Sequence, residues 1–156
     1  MPLNLWLDAD ACPVDIKDIM FRVSRRFGLR LTLVANCSLR VPGDELITSV
    51  VVPNGADMAD NYIAEHCAEN DLVVTADIPL AARIVEKGAV GLNPRGELYT
   101  EENVGQCLSM RNFMEEMRSG GMVEGGPAPH SNSDNQKFAN ALDCYLTRRV
   151  RELKRQ

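Results

Sequence analysis

Five short apolar runs, spaced by segments of helical period, fill the first two-thirds of the chain: Leu3–Leu7, Leu29–Ala35, Leu46–Val52 ("LITSVVV"), Leu72–Thr75 ("LVVT") and Ala89–Asn93 ("AVGLN"). They alternate little between apolar and polar residues, which marks strands covered on both faces. Between the first two, Ile16, Ile19, Met20, Val23 and Phe27 recur at helical spacing, with Pro13 placed as the first helical residue and Gly28 as the stop. Pro42 and Gly43 mark a loop before the third run. Further helices are expected from about Asp57 to Ala68, with Ala59, Ile63 and Cys67 on one face, and from Pro79 to Gly88. Strands alternating with helices imply right-handed crossovers and helices on both faces of the sheet. The expected fold is an α/β three-layer αβα sandwich with a mainly parallel central sheet.

Beyond Tyr99 the pattern turns helical: Glu101 to about Arg118, a Gly/Pro/Ser-rich loop at 119–133, then a last helix with Phe138, Leu142, Tyr145 and Leu153. A chain of 156 residues, 45% hydrophobic, suits one domain. We read 1–156 as that domain, with an α/β core at 1–98 and a helical C-terminal extension at 99–156. Within the loop, Gly125-Gly126-Pro127 reads as a connector. The five cysteines are odd in number and form no C-x-x-C pair, which suits a reducing cytoplasm better than a disulfide framework or a zinc site. No apolar run approaches the ~20 residues that span a bilayer, and no leader pattern opens the chain, so a cytoplasmic protein without a membrane partner is expected.

Open parallel sheets bind ligands outside the C-terminal ends of their strands. The first strand ends at Asp8 and Asp10, the second at Asn36 and Ser38, the third leads through "PNGADMAD" to Asp57 and Asp60, the fourth ends at Asp77 and the fifth at Asn93. Each residue has an ordinary reading of its own. Asp57 and Asp77 suit helix caps, Asp60 suits a solvated first turn, and Asn93 before Pro94 and Gly96 suits a turn. Taken together, the topology gathers five carboxylates from three segments at one edge. Such a cluster raises its own pKa values unless a cation neutralises it, and oxygen-only donors select a hard ion, Mg²⁺ or Mn²⁺. An ion held this way suits phosphodiester chemistry. The net charge of −5 supplies no general attraction for nucleic acid.

The runs "LDADACPV", "VAN", "NGADMADNYI", "ENDLVVTADIPLAARIVEKGA", "LNPRG" and "YTEEN", with Gly125, Gly126, Pro127 and Pro129 before the Phe138 helix, resemble the YaiI/YqxD family of small bacterial proteins over nearly the whole chain. That family is similar to PIN-like domains, metal-dependent ribonucleases and structure-specific nucleases. The resemblance implies a nuclease whose metal and catalytic acids are Asp8, Asp10, Asp57, Asp60 and Asp77, with Mg²⁺ or Mn²⁺ as cofactor and RNA or structured DNA as partner. The chain departs from an ordinary PIN domain in doubling the first acid and in its helical region from Tyr99 onward.

Asn36, Ser38, Asn93, Arg95 and Arg111 are the candidates for contacting substrate. Arg111 falls within the arc of Val104, Cys107 and Leu108, an apolar helix face, and needs an anionic partner there. Arg22, Arg25, Arg26 and Arg30, and the tail Arg148 to Arg155, form two basic clusters able to track a nucleic-acid backbone or to serve as solvated faces. Two rivals to the nuclease remain. One is a PIN-like module that binds metal, nucleic acid or protein without cutting. The other is a haloacid-dehalogenase-like phosphatase with Asp8 as nucleophile, which lacks the lysine its chemistry needs between Asp18 and Glu86. Cys12 has no arginine six residues on to hold a phosphate and reads as a small buried hydrophobe.

Overall fold

A computed structural model describes residues 3–122 and 128–155, so the expected Gly125-Gly126-Pro127 connector lies outside the described residues. Six strands, β1 (Leu5–Asp8), β2 (Leu31–Ala35), β3 (Ile47–Val51), β4 (Leu72–Val74), β5 (Val90–Leu92) and β6 (Leu98–Tyr99), form one sheet in the order β3-β2-β1-β4-β5-β6. The first five are parallel, and β6 runs antiparallel to β5. Helices α1 (Val14–Phe27), α2 (Met58–His66), α3 (Ile78–Glu86), α4 (Val104–Ser119) and α5 (Asn132–Lys154) complete an αβα sandwich of the expected class.

The strand period of two sets the layers. On β1, Leu5 and Leu7 enter a core shared with α1 and α5, whereas Trp6 enters the core shared with α2 and α3. On β4, Leu72 and Val74 face the first core and Val73 the second. Phe138, Leu142 and Leu146 of α5 are fully buried against the same sheet face as α1, so the sandwich draws on chain from both sides of residue 98. α4 packs on α3 at the margin and buries no residue fully.

Several expected boundaries move. Pro13 is the N-cap of α1 rather than its first residue, because its ψ of 153° is extended. α3 begins at Ile78, one residue early, since Asp77 caps it and Pro79 is tolerated in the first turn. β6 was not expected, as two residues are too short to show a period. Its position follows from the Asn93–Gly96 turn, where Gly96 takes φ +91° and a Cβ would stand 2.7 Å from the Lys137 carbonyl oxygen.

The basic clusters lie toward the edge of the sheet opposite the acids. A right-handed crossover sends its helix back antiparallel to the strands. The C-terminal half of α1, with Arg22, Arg25 and Arg26, therefore lies toward the N-terminal edge of the sheet, as does Arg30 just before β2. α5 runs the same way: Asn135 donates to Asp15 at one end, and Arg149 donates to Asn70, just before β4, at the other. Several of these arginines are already paired, Arg25 with Asp44, Arg26 with Asp143 and Arg149 with Glu152. Among the described residues no helix is long and apolar enough to cross a membrane.

Candidate functional site

In this strand order the chain switches direction between β1 and β4, the place where two neighbouring crossovers leave on opposite faces and open a crevice. Asp8 ends β1 two residues after Trp6, so it faces the α2/α3 layer, and α2 and α3 both begin at that edge. A cleft of about 210 Å³ results, lined by Asp8, Asp10, Asp57, Asp60 and Asp77, with Asn36 beside them. Period two on a strand and two helix starts thus account for the gathering.

Each acid is held differently. Asp8 is 2% exposed, and Thr75, itself fully buried, donates its hydroxyl to Asp8 Oδ2 at 2.8 Å. The same hydroxyl accepts the Asp77 backbone N–H at 3.0 Å, tying the ends of β1 and β4 together. Asp77 Oδ1 accepts the Leu80 N–H at 2.9 Å as a true N-cap. Asp10 stands on a 3-10 turn over Ala9–Ala11 and accepts the Asn36 N–H at 2.8 Å, linking β1 to β2. Asp57 occupies the N-cap of α2 at φ +67° but makes no side-chain cap, so its carboxylate is left to the cleft at a backbone angle that costs a non-glycine residue about 1–3 kcal/mol.

Electrostatics follow from that crowding. Burial, opposed by the Thr75 hydrogen bond and reinforced by the charges of Asp77 and Asp10, pushes Asp8 up to about 6. Burial and the neighbouring Asp77 and Asp8 push Asp60 up to about 7. Among the described residues none of the five acids has an ion pair, and no lysine, arginine or histidine lines the cleft. Asp71 offers the contrast. It is as buried as Asp8 but accepts from the Asn4 N–H, the Trp6 indole and the Ala68 N–H, a structural carboxylate at the opposite edge.

The donor set is all oxygen, three of its acids held by hydrogen bonds and two at the start of α2, and it carries negative charge that nothing among the described residues offsets, which fits a hard divalent cation. Asp8, Asp10 and Asp77 each give one oxygen to a donor of the fold and keep the other. The five side chains share the cleft without converging on a point: among the described residues no three form a ready ligand group.

The other candidates separate. Asn36 lines the cleft, while Ser38 is exposed and outside its lining. Asn93 serves its turn: its Oδ1 accepts from the Arg95 and Glu97 N–H groups and its amide donates to the Tyr99 hydroxyl. Arg111 does lie on the half-buried face of α4 with Val104, Cys107 and Leu108, and its anionic partner is Glu115 at 3.0 Å. It also lines a cavity with Asp77, beside the acids. Burial and the Asp8 charge drive the Cys12 thiol upward, away from a nucleophile's range. Thr75 escaped the sequence reading, because a β-branched residue ending "LVVT" looks like any strand residue.

Replacing Thr75 with valine keeps the shape and removes the hydroxyl that favours ionised Asp8. We expect urea unfolding to show a loss of about 1–3 kcal/mol, larger at pH 8 than at pH 5, because ionised Asp8 gains more from that donor than the protonated acid does. An equal loss at both pH values would disprove the coupling.

The family described as "Uncharacterized BCR, YaiI/YqxD family" matches residues 6–148. A UPF0178 protein of Trichlorobacter lovleyi is 58% identical over 154 residues, 99% of this chain and 100% of that one. A UPF0178 protein of Geobacter metallireducens is 57% identical over 152 residues, 97% of this chain and 98% of that one. No solved structure matches the chain significantly. With most of its length matched and such relatives aligned end to end, the chain belongs to the YaiI/YqxD family.

Proposed function

We propose that the protein is a Mg²⁺- or Mn²⁺-dependent nuclease that hydrolyses phosphodiester bonds in RNA or structured nucleic acid. The observation that carries this reading is the uncompensated carboxylate cleft at the switch point, with Asp8 buried and raised in pKa at its floor. Buried acids without cationic partners cost stability, and such cost is concentrated at functional sites. A divalent cation among Asp8, Asp10, Asp57, Asp60 and Asp77 would supply the positive charge that lets a phosphate approach and would activate water for attack.

The chain's own residues do the rest. Thr75 and the Leu80 N–H each hold one oxygen of Asp8 and Asp77, which keeps these carboxylates at the cleft while the other oxygens stay free for a ligand. Asp60, raised to about 7 in the metal-free cleft by burial and by Asp77 and Asp8, would give up its proton as a cation binds there. Arg111, beside Asp77, offers a cation to a phosphate next to the acids by exchanging its Glu115 partner. A module that binds without cutting is the second reading, favoured by the absence of a converged ligand group among the described residues. The phosphatase alternative gains nothing, for no lysine lines the cleft.

The test is incubation with single-stranded RNA, flap DNA and nicked DNA in Mn²⁺, Mg²⁺ or EDTA. We expect cleavage with either metal and none in EDTA. Survival of every substrate, with metal binding intact, would leave the non-cutting module.

A further inference from the structure

A second cavity, of about 260 Å³, adjoins the acidic cleft and shares Ala11 with it. It lies between Pro13 at the start of α1 and the Asn93–Gly96 turn, and Arg95 and His130 stand on it. Ala11, Ala76 and Pro94 give it small apolar walls, with the Asn93 side chain at their border. Nothing in the acid chemistry needs this space.

Arg95 is placed but not spent. Its backbone N–H is fixed on Asn93 Oδ1, one guanidinium nitrogen donates to the Ala128 carbonyl, and Nη1 stands 3.6 Å from Asp134, beyond a good hydrogen bond. Among the described residues its Nε has no acceptor. His130 is oriented by Asn135 at 2.6 Å, with its other ring nitrogen 4.0 Å from Asp134. The N-terminus of α1, whose cap Pro13 brings no side-chain acceptor, adds the positive end of a helix dipole to the same border. A cation and an imidazole beside flat apolar walls match one nucleotide: phosphate on the guanidinium, sugar or base against proline and alanine. A pocket this size, bounded by two elements of the fold, admits an unpaired unit and not a base pair.

We propose that Arg95 and His130 form a second phosphate subsite, which seats the unpaired nucleotide adjoining the bond at the acids. The substrate is then a single-stranded or frayed polynucleotide, neither a mononucleotide nor a continuous duplex. The inference rests on the nuclease reading for the identity of its ligand. The phosphate is either a terminal monoester or an internal diester, and the two share the same chemistry.

The test is fluorescence anisotropy with Asp8→Asn protein in Mg²⁺, using single-stranded oligonucleotides with 5′-phosphate, 3′-phosphate or no end phosphate, and a blunt duplex. Arg95→Ala is expected to weaken single-strand binding about tenfold and to lower the salt slope by about one. Arg95→Lys should retain part of the affinity. Ala76→Phe fills the cavity from an exposed position without touching the Arg95 contacts, and should weaken binding as Arg95→Ala does, with an unchanged melting curve. A preference for one phosphorylated end that vanishes in Arg95→Ala supports the monoester, and equal binding of all ends with the same tenfold loss supports the diester. Single-strand affinity and salt slope unchanged in both Arg95→Ala and Ala76→Phe, or duplex bound as tightly as single strand, would overturn the subsite. Arg95-dependent binding by a protein that cuts nothing would remove the nuclease reading and keep the subsite. Cutting that is indifferent to both variants would do the reverse.

Discussion

Asp8→Asn is expected to lower the rate of nucleic-acid cleavage by about 10³-fold or more while making the metal-free protein more stable at pH 8. The rate loss follows from removing the carboxylate at the floor of the cleft: a metal's charge stabilisation is worth several kcal/mol, and each 1.36 kcal/mol is tenfold. The gain in stability follows from the opposite side of the same fact. Ionised Asp8 is buried beside Asp77 and Asp10, and its pKa rises from 3.8 to about 6, a cost of up to about 3 kcal/mol once the pH exceeds both values. The amide is isosteric, and its oxygen still accepts from the Thr75 hydroxyl. Opposite signs for activity and stability distinguish a functional acid from a structural one. Asp71→Asn serves as the counter-example: that carboxylate accepts three donors, one of which must lose its partner, so stability is expected to fall. If Asp8→Asn loses stability as Asp71→Asn does and cleaves normally, Asp8 is a scaffold residue.

The contrast between these two aspartates also shows what a sequence makes legible. Leu5, Trp6 and Leu7 declare a strand with two covered faces, and the helical period of Ile16 to Phe27 declares its return, so the layers and the parallel sheet can be read without coordinates. The gathering of Asp8, Asp57, Asp60 and Asp77 can be read too, since it needs only the rule that strand ends and helix starts share an edge. Local detail was less accessible. Asp71 resembles any loop acid until Asn4 and Trp6, far away in sequence, are seen to donate to it. Thr75 acquires its meaning from β1, a strand it meets only across the sheet. The left-handed backbone of Asp57 depends on how α2 is entered. The arginine clusters were legible as charge but not as place: helix direction puts them at the far edge, while Arg95, a lone turn arginine, stands next to the cleft.

Divalent metal is expected to raise the melting temperature strongly at pH 8 and only slightly at pH 5. In the folded protein Asp8 and Asp60 keep their protons up to about 6 and about 7, whereas an unfolded chain releases them near 3.8. Between about pH 4 and pH 7 the native state therefore binds more protons than the unfolded state, so metal-free stability falls as pH rises through that window, by at most about 1.4 kcal/mol per pH unit for each proton. Asp60 is more exposed than Asp8, so solvent screens its share and Asp8 carries most of the slope. A cation that binds the ionised cluster competes with those protons and offsets the same penalty. At a hundred times its Kd it contributes about 2.7 kcal/mol, and for a chain of this size that shifts Tm by roughly 5–10 °C. At pH 5 the protons already neutralise Asp8 and Asp60, which leaves the metal little to gain. Calorimetry with and without Mn²⁺ across pH 5 to 8 reads the difference directly, with Asp8→Asn expected to flatten both the metal-free slope and the metal shift. Equal shifts at both ends of the range would place the binding away from Asp8 and Asp60, because only groups that still hold protons at pH 5 can make metal stabilisation grow with pH.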